Sequence, residues 1–164
     1  MTTFDLVVKG GTIATAADVF AADVGVAGGE IAALGHGLDG AAVIDAAGKL
    51  VLPGGVDSHC HIEQLSATGV MNADSFESAT ASAARGGTTT VIPFAAQHVG
   101  TSLTDVAADY HARAERGAIV DYAMHLILAD PRPEVLADEL PPLVAQGHGS
   151  LKIFLTYDNI RLDD

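Results

Sequence analysis

The chain has 164 residues, of which 49% are hydrophobic and 18 are glycines, a composition typical of a folded globular protein with a sizeable core. Its formal net charge of -13 gives a surface that repels nucleic acid and anionic lipid, so neither is expected as a partner. The single cysteine excludes an internal disulfide, and we see no signal peptide or bilayer-spanning apolar run, so the sequence predicts a cytoplasmic protein with no membrane partner.

Residues 1–52 predict a small β module of short strands joined by turns. The expected strands cover residues 5–9, 22–26, 30–34, 42–45 and 49–52. The glycine-rich turn at 27–29 predicts a hairpin between the second and third strands, and the turn at 46–48 predicts a second hairpin between the last two. Because these strands are short and rich in glycine, we expect the module to pair with another part of the protein.

From Pro53 onward the pattern changes to alternating strands and helices. The expected strands are 56–61, 88–92, 121–128 and 150–155, and the expected helices are 74–85, 102–116 and 133–146. Asp74 is the predicted cap of the first helix, with Glu77 completing a capping box. This alternation predicts βαβ units with right-handed crossovers and a parallel sheet.

Two histidines, His59 and His61, stand two residues apart at the end of the first of these strands. Residues two apart project to the same face of a strand, so both imidazoles and the carboxylate of Asp57 are expected on one side. Converging imidazoles are the beginning of a metal site. The motif is weak by itself, and an accidental pair of surface or core histidines explains the spacing equally well.

Lys152 lies within the last predicted strand, on the face opposite Leu151, Ile153 and Leu155. A lysine inside a buried strand is costly unless it is paired or neutral. One interpretation is an edge strand whose lysine reaches water. The other places the amine near the histidines, where a lysine with a lowered pKa reacts with carbon dioxide to give a carbamate able to bridge two metal ions.

Three motifs together resemble the amidohydrolase superfamily, and within it the hydantoinase/dihydropyrimidinase family. They are Gly54-Gly55-Val56-Asp57-Ser58-His59-Cys60-His61, Gly86-Gly87-Thr88-Thr89-Thr90 and Ser150-Leu151-Lys152-Ile153-Phe154-Leu155-Thr156-Tyr157. The resemblance covers essentially the whole chain, including the Leu-Pro-Gly-Gly run that ends the β module. It favours the second interpretation of Lys152.

The resemblance implies an α/β fold, the first half of a (β/α)₈ TIM barrel preceded by part of a small β-sandwich. Residues 1–52 would form the N-terminal part of the sandwich, and residues 53–164 the first four βα units of the barrel. By the same resemblance, the complete enzyme is a cytoplasmic homo-oligomer, a tetramer in the family. It hydrolyses a small cyclic amide or ureide, such as a hydantoin or a 5,6-dihydropyrimidine, to an N-carbamoyl amino acid.

The resemblance also assigns roles to four residues. His59 and His61 match metal ligands, and Lys152 matches the carboxylated lysine that bridges two zinc ions. Tyr157 matches the catalytic tyrosine whose hydroxyl stabilises an oxyanion. All four would lie at or just beyond the carboxyl ends of strands, where barrel active sites are built.

One departure from the family concerns the remaining ligands, two histidines and an aspartate from later strands. A whole barrel takes about 250 residues, so we expect this chain to be an N-terminal part that is inactive alone. Four other histidines, His98, His111, His125 and His148, are not in places that could supply the ligands. His111 and His148 are expected to be solvated, and His125 to have a local partner.

The substrate and the class of protein stay open at this point. Leu65, Val70 and Met71 are a candidate apolar wall for a ring substituent, although they are as compatible with packing under their loop; residues 94–97 are a second candidate wall. An allantoinase- or dihydroorotase-like enzyme would keep the same ligands, but the loop after His61 lacks the arginine those enzymes commonly use. A non-catalytic oligomeric scaffold is the alternative from another class, which retention of the ligand motifs disfavours.

Overall fold

The computed structural model describes residues 4–66, 68–158 and 160–162. The chain forms two compact units, the first ending at Pro53 and the second beginning at Gly54. Each unit contains one sheet, so the fold is mixed α/β with two sheets. No helix in the described residues is long and apolar enough to cross a membrane.

The first unit is a five-stranded sheet organised around its longest strand. The strands are β1 (Phe4–Ala14), β2 (Val19–Ala27), β3 (Glu30–Gly35), β4 (Gly40–Asp45) and β5 (Leu50–Val51). The order is β3-β2-β1-β4, and β5 also pairs with β1. The antiparallel pairing of β2 with β3 confirms the first predicted hairpin. The small core of this unit includes Ile13, Ala22 and Val24.

The second predicted hairpin is wrong. Both β4 and β5 pair with β1 in parallel, so the chain continues in one direction after the turn at 46–48 instead of reversing. The turn fits a bulge in β1 between Val8 and Gly11. There the N–H of Ala46 donates to the Lys9 carbonyl at 2.8 Å, and the N–H of Lys49 donates to the Ala46 carbonyl at 2.9 Å. The N–H of Thr12 in β1 also donates to the Lys49 carbonyl at 2.9 Å, so the turn bonds to β1 on both sides and β4 and β5 do not bond to each other as a hairpin would.

The second unit is a parallel sheet with helices in its connections, as predicted. The elements are β6 (Gly55–Cys60), α1 (Phe76–Arg85), β7 (Thr88–Ala96), α2 (Leu103–Gly117), β8 (Asp121–Tyr122), β9 (His125–Ile127), α3 (Leu140–Ala145) and β10 (Leu151–Lys152). The order is β10-β9-β7-β6, with β8 pairing to β7. The main core lies between sheet and helices and includes Phe76, Leu103, Leu126 and Val135, all fully buried.

The turn before β6 requires a glycine at position 54. A Cβ on Gly54 would lie 2.0 Å from Thr89 Oγ1, which no side chain tolerates. The next residue, Gly55, donates its N–H to the Gly87 carbonyl at 2.8 Å and so begins the pairing of β6 with β7. The Pro-Gly-Gly run therefore sets the register of the strand that ends at the two histidines.

The predicted capping box of α1 is displaced by one residue. Ser75, not Asp74, is the N-cap, and its hydroxyl accepts the N–H of Ser78 at 3.2 Å. Ser78 Oγ accepts the N–H of Ser75 at 3.1 Å and donates to Asp74 at 2.7 Å. Ser78 therefore occupies the position in the capping box that was predicted for Glu77, because it lies three residues after the actual N-cap, Ser75.

Three other elements are shorter than predicted. The strand at 121–128 is split into β8 and β9, and the interruption lies opposite Pro93, which has no N–H to donate. The helix at 133–146 begins as a π-helical turn (Val135–Glu139) and continues as α3, which has prolines at its start. The strand at 150–155 is reduced to β10, because Phe154 pairs instead with Arg161.

Candidate metal centre

The imidazoles of His59 and His61 converge at the carboxyl end of β6, as the two-residue spacing predicts. Their ring centroids lie 5.6 Å apart with a T-shaped arrangement. Both rings pack on Phe94 of β7, and the distance between ring centroids is 4.7 Å for His59 and 5.0 Å for His61. Cys60, on the other face, packs against the core, and burial raises the pKa of its thiol to about 11.

Asp57 does not join the two imidazoles as a third donor. Its carboxylate accepts the backbone N–H of His59 at 3.0 Å, which fixes the backbone at the strand end. Within the described residues, no three or more His, Cys, Asp or Glu side chains are grouped so that they could hold a metal ion. At the end of β6, the candidate metal donors are therefore the two imidazoles alone.

Lys152 reaches the ring of Phe94 from β10, which lies at the edge of the sheet opposite to β6. Its Nζ lies 4.1 Å from the centroid of Phe94 and 5.2 Å from that of Phe154. Among the described residues, no carboxylate lies within ion-pair distance of this amine. The apolar neighbours Leu151 and Ile153 are exposed, whereas Lys152 is half-buried beside the two aromatic rings.

Tyr157 follows β10 and lines a cleft of about 330 Å³. The cleft also contains His61, Lys152, Phe154 and His98 among its lining residues. The tyrosine side chain is 58% exposed, and its ring lies 5.4 Å from that of Phe154. The structure thus brings three of the four predicted site residues to one cleft, and the fourth, His59, to the ring beside it.

Gln64 belongs to the candidate site through a contact with His61, and the sequence did not predict this role. Its Oε1 accepts a hydrogen bond from Nδ1 of His61. Because a carbonyl oxygen can only accept, this bond places the proton on Nδ1 and leaves the lone pair on Nε2, the form in which an imidazole binds metal. Nothing local in the sequence distinguishes Gln64 from any other loop glutamine.

Gln97 supports the floor of the cleft and is only 3% exposed. Its Oε1 accepts the N–H groups of Ala129 and Asp130, both at 3.0 Å, and its Nε2 donates to the Thr101 carbonyl at 3.0 Å. The predicted wall residue is therefore a brace between the ends of β7 and β9. Its polar atoms are satisfied by the protein.

The loop after His61 forms an apolar surface beside the histidine. Leu65 and Met71 pair in an isolated antiparallel bridge, and both are partly exposed. Val70 and Met71 line a hollow of about 510 Å³ together with His61 and Gln64. These side chains are accessible and not packed beneath their loop, a position that suits the predicted wall.

Two of the other histidines differ from their prediction. His125 has the expected local partners, since its Nε2 donates to the Ser58 carbonyl at 2.9 Å and its Nδ1 bonds to the Ser150 hydroxyl. The expectation of a solvated side chain is wrong for His148, while His111 is half-buried and so only partly solvated. His148 is 7% exposed and lies against His111, because α2 packs beside the turn that follows α3.

Comparison with known proteins identifies relatives over nearly the whole chain, although no family model matches it. The D-hydantoinase of Streptomyces coelicolor is 42% identical over 165 residues, covering 96% of this chain and 35% of the relative. The dihydropyrimidinase of Rattus norvegicus is 33% identical over 162 residues, covering 94% and 31%. A solved D-hydantoinase structure matches with a TM-score of 0.92 at 39% identity, covering 98% of this chain and 35% of that one. The chain spans about a third of the length of these relatives, and it belongs to the hydantoinase/dihydropyrimidinase family.

Proposed function

We propose that the chain supplies part of the active site of a zinc-dependent hydrolase of cyclic amides, which opens a hydantoin or a 5,6-dihydropyrimidine to an N-carbamoyl amino acid. The observation that carries the proposal is the meeting of His61, Lys152 and Tyr157 at one cleft, with His59 on the same Phe94 ring. Its relatives include proteins named D-hydantoinase and dihydropyrimidinase.

The donors suit zinc in kind and form only part of a ligand set. His59 and His61 offer imidazole nitrogens, which zinc commonly takes, and catalytic zinc sites use about three protein ligands per ion. Lys152 supplies an oxygen donor once its neutral amine forms an N–C bond to carbon dioxide and loses a proton, which gives a carbamate anion. In this proposal carboxylated Lys152 would be a shared ligand of two zinc ions, and the remaining ligands would come from outside the chain.

Each residue then has a separate task. Zinc bound there would supply Lewis-acid polarisation of the substrate carbonyl and lower the pKa of a water molecule. Tyr157 donates a hydrogen bond from its hydroxyl to the oxyanion that develops at that carbonyl. Gln64 holds the tautomer of His61, and Val70 and Met71 contact the ring substituent of the substrate.

The wider architecture belongs to the same proposal. The parallel sheet of the second unit would be the first four βα units of a TIM barrel, whose active sites lie at the carboxyl ends of the strands. The sheet of the first unit would be part of a β-sandwich. The complete enzyme would be a cytoplasmic homotetramer acting on a small cyclic amide.

The test is a chimera in which this chain replaces the matching segment of the Streptomyces coelicolor D-hydantoinase, a segment 42% identical to it. We expect the chimera to hydrolyse hydantoin and dihydrouracil, and the measurement is the rate at which the N-carbamoyl product is released. The chain by itself is expected to show no hydrolysis, because its ligand set is incomplete. A folded, zinc-loaded chimera that hydrolyses neither ring would contradict the proposal.

A further inference from the structure

A second pair of histidines lies in the second unit, away from the cleft residues. His111 is on α2, and His148 is in the turn between α3 and β10. Their Nε2 atoms are 3.3 Å apart, and their ring centroids are 5.1 Å apart with planes at 61°. The two rings therefore hold the same type of nitrogen at hydrogen-bond distance from each other.

The separation of these nitrogens fits a shared metal ion. A tetrahedral zinc ion with Zn–N bonds of about 2.0–2.1 Å holds two nitrogens about 3.3–3.4 Å apart. As the structure stands, the two nitrogens form a hydrogen bond, in which one ring is the donor and the other the acceptor. The same separation lets a metal ion replace the shared proton and bind both nitrogens with little movement of the rings.

The surroundings supply the right protonation state and a further donor. Burial, and next the neighbouring His148, lower the pKa of His111, which favours the neutral imidazole that binds metal. Glu115 is one turn beyond His111 on α2, so the two side chains share a helix face. Its carboxylate acts electrostatically on both His111 and the nearby Tyr122. In the described residues it does not complete a three-donor group, so it would join the site only after its side chain rotates.

We propose that His111 and His148 form a second metal site, which takes a divalent transition-metal ion such as Zn²⁺ with Glu115 as an additional ligand. Imidazole and carboxylate donors suit zinc, copper and nickel ions. Because only two ligands are preset, coordination positions stay free and the bound ion can exchange, unlike the ion of a four-ligand structural zinc site. An ion there joins α2 to the turn that leads into β10, the strand of Lys152.

The experiment measures Zn²⁺ binding by equilibrium dialysis in the chain that carries His59→Gln and His61→Gln, so that the candidate centre of the proposed function is absent. We expect this double variant to bind one Zn²⁺ ion per chain, and the addition of His111→Gln to weaken that binding at least tenfold. The matched control is His36→Gln, which changes a histidine of the first unit and is expected to leave the affinity unchanged. Equal Zn²⁺ affinity with and without His111→Gln would overturn the site.

A second measurement covers the case in which a variant does not fold. In the unaltered chain, one equivalent of Zn²⁺ is expected to shift the imidazole ¹⁵N resonances of His111 and His148. Resonances of these two rings that stay unchanged up to millimolar Zn²⁺ would overturn the proposal, whatever the chimera does with hydantoin. Conversely, an inactive chimera leaves this site untouched, since His111 and His148 have no part in the proposed hydrolysis.

Discussion

The two sheets of this chain differ in how they bring polar side chains together. In the first unit, Asp23 is 5% exposed and accepts the N–H groups of Gly10 at 2.8 Å and Leu38 at 3.1 Å, so a buried carboxylate holds turns of its own sheet. In the second unit, parallel strands carry His59, Phe94 and Lys152 from distant parts of the sequence to one edge.

This difference indicates that some polar residues serve the stability of the fold and others are free to serve catalysis. The polar contacts of Asp23 are satisfied by backbone groups, which leaves nothing to offer a ligand. At the edge of the second sheet, in contrast, His61, Lys152 and Tyr157 are at least partly exposed and line a cleft. We therefore expect substitutions at the edge of the second sheet to change catalysis with little change in folding, and substitutions at Asp23 to do the opposite.

The largest effect is expected for Tyr157→Phe in the chimera. Removing one oxyanion donor typically lowers turnover by about 10²–10³-fold. Zinc content and thermal stability should stay unchanged, because Tyr157 is largely exposed and the phenyl ring can keep its contact with Phe154. The measurement is kcat for hydantoin, with Tyr122→Phe as the control. Unaltered turnover in Tyr157→Phe would remove this residue from the mechanism.

A smaller effect is expected for Gln64→Ala. Loss of the hydrogen bond to His61 frees the imidazole to rotate or change tautomer, and losing such a partner typically weakens metal affinity by about 10–100-fold. The measurement is zinc affinity of the chimera by competition with a chelator. Gln146→Ala, an exposed glutamine after α3, is the matched control. Equal zinc affinity in Gln64→Ala and Gln146→Ala would show that Gln64 does not orient His61.

The smallest effect on activity is expected for Asp23→Asn, which should instead change the pH dependence of stability. The N–H of Gly10 is the largest cause that holds the pKa of Asp23 below its usual 3.8, with Leu38 adding to it against the opposing effect of burial. A lowered folded-state pKa gives stability that is present above pH 3.8 and is lost as the pH falls through the folded-state pKa.

Thermal unfolding of the chain between pH 2 and pH 7, roughly the range in which carboxylates titrate, tests this expectation. The variant should have a lower Tm than the parent at neutral pH and a flatter loss of Tm toward acid. Glu30→Gln removes one exposed charge from the same unit and serves as the control. Parallel Tm curves for Asp23→Asn and its parent would contradict the role of this carboxylate.

The features that were predictable from the sequence are those with a local signal. The strand period of two places His59 and His61 together, and the alternation of elements from Pro53 predicts the parallel sheet. The family resemblance added Lys152 and Tyr157, whose roles no local pattern shows. Even the failed capping box was wrong by only one residue, because Asp74 and Ser75 are both good caps.

The features that could not be predicted depend on packing between distant segments. Phe94 serves as a shared platform only because β7 pairs with β6 in the register that sets Cys60 opposite Pro93. His111 and His148 meet across 37 residues of sequence, with no pattern to connect them. The direction of β4 and β5 could not be predicted because both strands pair in parallel with β1, a contact with an earlier segment that the turn residues do not reveal.

The most direct test of the central claim is the zinc content of the chimera with Lys152 intact and with Lys152→Ala, both prepared with zinc and [¹³C]bicarbonate. The account predicts two zinc ions per subunit at the active site and a carbamate ¹³C signal in the parent, with loss of the carbamate and of binuclear binding in Lys152→Ala. Including His111→Gln in both proteins removes the second site from the count. Two active-site zinc ions retained in Lys152→Ala would contradict the assignment of Lys152 as the bridging ligand.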